Sequence, residues 1–218
     1  MGKNDRRRSS RSLRRRRPSK KPRKVVLILC EGEKTEPNYF KALRSKLGLS
    51  TVEVEVAGTG AAPISVIDAA QERQKARKRE AKRDETLTEF DEIWCVVDIE
   101  VPEHKSLGRA IDKAHQLHRV ELILSNPCFE FWYLLHFAKT GTLLHGCADV
   151  LRELKKHLPR YEKGDDHFQT LDPKTDVAIR NAKSLFAQQW QHEEDLRRCN
   201  PCTEVYKLVE RLREIVRG

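Results

Sequence analysis

A chain of 218 residues, 38% hydrophobic and 35% charged, is long enough to bury about 70% of its unfolded surface, and its polarity excludes a membrane protein. No window approaches the roughly 18 uninterrupted apolar residues that a membrane span requires. The formal charge of +10 is concentrated at one end: residues 1–24 hold thirteen Lys or Arg against the single acid Asp5, which leaves 30 basic and 32 acidic residues, or −2, in the remainder.

The first segment, 1–24, has almost no apolar residue and cannot offset its own ordering entropy, so it is expected to be a disordered Arg/Lys-rich arm. It lacks the apolar middle of a secretion signal. Binding of a polyanion by counterion release is its functional reading, and a solubilising tail is the plain alternative. The rest, 25–218, contains no linker and reads as one folded domain. "VVLILC" at 25–30 is a continuous apolar run, the pattern of a parallel strand covered on both faces. From Thr35, apolar Tyr39, Phe40, Leu43 and Leu47 recur at helical spacing, with Thr35 as N-cap and Gly48 as C-terminal cap. "TVEVEVAG" at 51–58 alternates strictly and predicts a strand near a sheet edge.

A long helix follows over 64–84, its second half nearly all charged and therefore a solvated face. "EIWCVVDIE" at 92–100 is a second buried strand, 105–118 a short helix, and "VELILS" at 120–125 a fourth strand. "NPCFEFWYLLHF" predicts a helix with Asn126 capping and Pro127 at the first helical position. Further helices are expected over 147–158, 174–192 and 202–216. "SNPCFE" and "CNPCTE" echo each other, and shared capping chemistry at two helix starts accounts for the echo. Alternation of strand and helix gives an α/β three-layer sandwich around a mostly parallel sheet of about four strands, with a helical C-terminal part. The six cysteines do not form the pattern of a disulfide framework, and Cys30 and Cys95 sit in apolar strands as small hydrophobes. A reducing, cytoplasmic setting is expected. Cys199 and Cys202 with His145 and Cys147 are a weak zinc pattern, since Asn200 and Pro201 explain that spacing by themselves.

In open parallel sheets ligands bind outside the carboxyl ends of the strands. Glu31 ends the first buried strand, and Asp98 and Glu100 end the second, two apart and so on the same side of the pleat. Three carboxylates converge if these strands are neighbours, and their repulsion asks for a cation. Oxygen ligands of this kind suit Mg²⁺ or Mn²⁺. Glu130, in the first turn of a helix, is a further metal-ligand candidate, with dipole compensation as its alternative role. Capping by Glu31 and an ordinary turn at Asp98 are the competing readings of those segments.

A Glu-Gly at the end of a first strand with Asp-x-Asp/Glu at the end of a later one resembles the Toprim fold. "CEGEKTEPNYF", "WCVVDIE", "SNPCFEFWYLLHF" and "NPCTEVYKLVE" together resemble the successive signatures of the RloB family, associated with restriction loci and AbiL-type abortive phage defence. The resemblance covers about residues 24–215. It implies a catalytic core in which Glu31 is the acid/base and Asp98 and Glu100 hold Mg²⁺, with Glu100 departing from the usual Asp. It further implies a nuclease in anti-phage defence, acting on DNA or RNA, with an ATPase encoded nearby as partner. The alternative is a non-catalytic nucleic-acid-binding scaffold that works with that ATPase.

Overall fold

The computed structural model describes residues 24–58, 60, 62–190 and 196–217. The basic arm predicted over 1–24 lies outside these residues except for Lys24, whose Nζ is 2.7 Å from Glu92 Oε1. A five-stranded sheet forms the centre, in the order β2-β1-β3-β4-β5. Strand β1 (Val26–Cys30) pairs in parallel with both β2 (Val52–Val56) and β3 (Glu92–Asp98), and β3 pairs in parallel with β4 (Val120–Asn126). The fifth strand, β5 (Cys202–Thr203), is antiparallel to β4.

Every residue of β1 is buried because both faces of the sheet are covered. Val26, Ile28 and Cys30 enter one core with residues of α1 (Thr35–Leu47), α4 (Glu130–Leu135), α5 (Cys147–Lys155), α7 (Thr175–Trp190) and α8 (Val205–Arg217). Leu27 and Leu29 enter a second core with α2 (Pro63–Ala81) and α3 (Leu107–Gln116). This is an α/β architecture consistent with a Toprim-like sandwich. Strand β2 is at the sheet edge, as its alternation predicts, and Glu53 and Glu55 on its wet face pair with Arg73 and Arg77 of α2. Gly48 closes α1 in the left-handed region, φ 64°, the conformation for which glycine is favoured.

Four expectations are corrected. Thr35 is the first helical residue of α1 rather than its cap, and its hydroxyl reaches Glu130 Oε1 at 3.4 Å instead of its own backbone. Asn126 does not cap a helix and Pro127 is not a first helical residue. Asn126 ends β4, its side chain donates to the Arg197 carbonyl at 3.2 Å, and α4 begins only at Glu130. The echoed segments each lead into a helix, α4 at Glu130 and α8 at Val205, but they also supply strand residues that pair with each other, Ser125 opposite Thr203 and Asn126 opposite Cys202, each segment containing a cis Asn-Pro bond. That pairing supplies the fifth strand. Finally, Cys128 and Cys147, 19 residues apart, form a disulfide, because packing of α4 against α5 brings the start of one helix to the start of the other.

Candidate active site

The carboxyl end of β1 is held one step beyond the strand, where Glu31 N donates to Val96 O at 3.0 Å. That bond fixes Glu31 beside the end of β3, and its Oε2 accepts the backbone N–H of Asp98 at 2.9 Å. Asp98 follows Trp94 and Val96 on the face of β3 that is covered by α1 and α4. An open cleft of about 310 Å³ lies there, lined by Glu31, Gly32, Glu33, Lys34, Thr35, Glu36, Asp98, Glu100, Glu130 and Lys163.

The four residues named from sequence, Glu31, Asp98, Glu100 and Glu130, therefore share one cleft. Glu100 arrives by a different route from simple strand alternation. Strand β3 ends at Asp98, and Glu100 sits beyond it at φ 57°, its N–H bonded to the Pro127 carbonyl at 3.0 Å. Two further residues of the cleft escaped sequence reasoning. Glu36, only 5% exposed, lies in the first turn of α1 with its carboxylate directly over Gly32, where a Cβ would fall 2.1 Å from Oε2. A side chain at position 32 would have to displace the buried Glu36 carboxylate. Lys163, in the loop before α6 (Phe168–Leu171), reaches Glu130 Oε1 at 3.3 Å. The loop is fastened to α1 by Asn38 Nδ2 donating to the Gly164 carbonyl at 2.8 Å.

Glu130 is 2% exposed and well supported. Its Oε1 accepts from Tyr161 at 3.2 Å and from Thr35 at 3.4 Å, and faces Lys163. Its Oε2 lies 3.4 Å from Cys147 Sγ. Asp98 is less well served: Oδ1 is buried and without a hydrogen-bond partner. Burial, and then the charges of Glu36, Glu130 and Glu31, push its carboxyl well above the usual range against the opposing Phe129 N–H. Burial raises Glu31 to about 7, with the Asp98 N–H opposing and Glu100 and Glu36 adding to the rise. Burial also raises Glu36, its own N–H and that of Gly32 pulling the other way. A concentrated negative field with one orphaned carboxylate oxygen is what a cation would relieve. The set is all oxygen, and such ligands are chosen by hard divalent ions.

Ligand atoms of Cys128, Glu130 and Cys147 all lie within 4.8 Å of one another, a grouping whose two sulfurs are tied up in the disulfide. Cys147 is bonded to Cys128 and does not join Cys199 and Cys202 in a zinc site. His136 is a core residue: it is buried, its Nδ1 faces the Trp132 carbonyl at 2.9 Å, and burial lowers it to about 4. No helix among the described residues is long and apolar enough to cross a membrane.

No curated protein and no solved structure matches the chain at a significant level. A sequence model of the family described as RloB-like protein matches residues 26–212. This span runs from the first residue of β1 into α8 and takes in every carboxylate of the cleft, so the chain belongs to the RloB-like protein family.

Proposed function

We propose that the cleft is the active site of a divalent-metal-dependent phosphodiesterase, a nuclease with a Toprim-type catalytic core that serves in anti-phage defence. The observation that carries this reading is Asp98 Oδ1, buried without a partner among the carboxylates of Glu31, Glu36 and Glu130 at the carboxyl ends of β1 and β3. Family membership adds the defence context that the sequence resemblance implies.

Asp98, Glu100 and Glu31 are the residues that would hold Mg²⁺ or Mn²⁺, with Glu130 as a further oxygen donor at the cleft's inner wall. When bound, such an ion acidifies the attacking water and offsets charge on the phosphodiester. Glu31 carries the proton: Oε2 is engaged by the Asp98 N–H, which leaves Oε1 to take or return it. Without the ion, burial raises this carboxyl to about 7, within reach of both directions at neutral pH. Lys163 and Lys34 supply the positive charge at the cleft, where a substrate phosphate has to be drawn in among carboxylates. Lys163 is 57% exposed at its side chain and can turn from Glu130 toward a phosphate oxygen, leaving Glu130 Oε1 to Tyr161 and Thr35.

The test is cleavage of single- and double-stranded DNA and RNA with Mg²⁺ or Mn²⁺, comparing wild type with Glu31→Gln and Asp98→Asn. Loss of about 100-fold or more in each variant is expected, the scale of removing an acid/base group. Unchanged cleavage by both variants sinks the assignment. Nucleic-acid binding without cleavage by any of the three would favour the scaffold reading.

A further inference from the structure

Glu130 faces two ways, its two oxygens having different neighbours. Three groups converge on Oε1: the Tyr161 hydroxyl at 3.2 Å, the Thr35 hydroxyl at 3.4 Å and Lys163 Nζ at 3.3 Å. Oε2 has a different neighbour, Cys147 Sγ at 3.4 Å. Cys147 opens α5, and its sulfur meets that of Cys128, which lies just before α4. The two cysteines line a second cleft of about 400 Å³ with Val101, Pro102 and Pro127, and it shares Asp98, Glu100 and Lys163 with the first. The two sulfurs thus line this cleft and Glu130 lines the adjoining one, with their ligand atoms within 4.8 Å of one another.

We propose that Cys128 and Cys147 in their thiol form, together with Glu130 Oε2, make a second cation site for a thiophilic divalent ion of the Zn²⁺ class, and that the disulfide closes it. The donor set is the argument. Two thiolates select soft or borderline ions, in contrast to the all-oxygen set next door. Zn²⁺ takes sulfur at about 2.3 Å and carboxylate oxygen at about 2.0–2.2 Å, so after reduction the two sulfurs must part from bonding distance to make room for the ion, while the Glu130 oxygen already lies close by. Three protein donors beside a cleft leave the fourth position to water or a ligand. Tyr161, Thr35 and Lys163 act on Oε1 as outer-shell partners that fix a carboxylate while its other oxygen stays free to coordinate. In the bonded pair no thiolate remains, and the site is lost.

Conversion between the two forms is thiol–disulfide exchange with a low-molecular-weight disulfide. The two S–H groups become one S–S bond, and the two hydrogens with their electrons reduce that disulfide to two thiols. The proposal does not rest on the nuclease reading, because it concerns binding in the absence of any nucleic acid.

Full-length protein is reduced, freed of reductant under argon and titrated with Zn²⁺ against a chromophoric chelator, then with Cd²⁺ to read the thiolate charge-transfer absorption. The reduced chain should bind one equivalent that excess Mg²⁺ does not displace. The disulfide form, Cys147→Ser and Glu130→Gln should each bind at least about tenfold more weakly, whereas Cys202→Ser should match wild type. Equal affinity in the disulfide form, or in either of the two site variants, overturns the proposal. Should a variant fail to fold, alkylation of the reduced wild type decides it: Zn²⁺ should slow modification of Cys147 at least about tenfold, and an unchanged rate refutes the site.

Discussion

Replacing Glu31 by glutamine should stabilise the metal-free protein at pH 8 and leave it nearly unchanged at pH 5. The folded protein raises this carboxyl from its ordinary 4.5 to about 7. Between those values the folded state holds a proton that the unfolded state has released, so stability falls as pH rises through the window. Below 4.5 both states are neutral and the residue costs nothing; above 7 both are ionised and the full cost is present. At about 1.4 kcal/mol per pH unit the rise corresponds to about 3 kcal/mol. The side chain keeps part of its solvent, which screens the effect, and about 1–2 kcal/mol is the discounted figure. Glutamine retains an oxygen for the Asp98 N–H but has no charge to bury. Urea denaturation in EDTA at the two pH values measures the difference, or thermal melts in which about 2–4 °C accompanies each kcal/mol for a chain of this size. Asp98 is raised in part by the Glu31 charge, so removing that charge also eases the ionisation of Asp98 and adds to the stabilisation at pH 8. A Glu31→Gln variant equally destabilised at pH 5 and pH 8 would refute the claim that this carboxylate is held charged at a cost.

Gly32→Ala should cost about 1–3 kcal/mol, because its methyl would take the space of the buried Glu36 carboxylate; a melt identical to wild type would show that Glu36 moves aside freely. At the opposite end of β3, burial disfavours charge on Glu92, yet hydrogen bonds from Arg211 and Lys24 overcome it and hold the carboxyl down at about 2. Arg211→Met should therefore cost about 1 kcal/mol at pH 7, with the gap to wild type closing as pH falls from about 5 toward 2. A gap that stays constant over that range in denaturation experiments would contradict the pairing.

The parts of the fold legible in the sequence are those in which burial alone dictates residue type. β1 reads as an unbroken apolar run because its alternate residues, Val26 and Ile28 against Leu27 and Leu29, enter two different cores. β2 alternates because one face carries Glu53 and Glu55 to meet Arg73. Strand β5 was not legible: two residues, Cys202 and Thr203, are too few for a period, and their partner Asn126 has the composition of a helix cap. In the cleft, Glu31, Asp98, Glu100 and Glu130 were suggested by their positions at element ends. Glu36 looked like an ordinary first-turn acid, and only its approach to Gly32 shows that it is buried. Lys163 had no local signal, since its position depends on a bond between Asn38 and Gly164 that spans 126 residues. The disulfide was hidden for the same reason, the contact between α4 and α5 being tertiary.

Calorimetric titration of Mn²⁺ and Mg²⁺ into the disulfide-bonded protein, wild type against Asp98→Asn, reads the central claim without any substrate. Wild type should bind the ion, and the variant should bind it at least about tenfold more weakly, since the orphaned oxygen that the cation would satisfy becomes part of a neutral amide. Identical isotherms for the two proteins, or no heat of binding in either, would contradict the account of this cleft as a metal site.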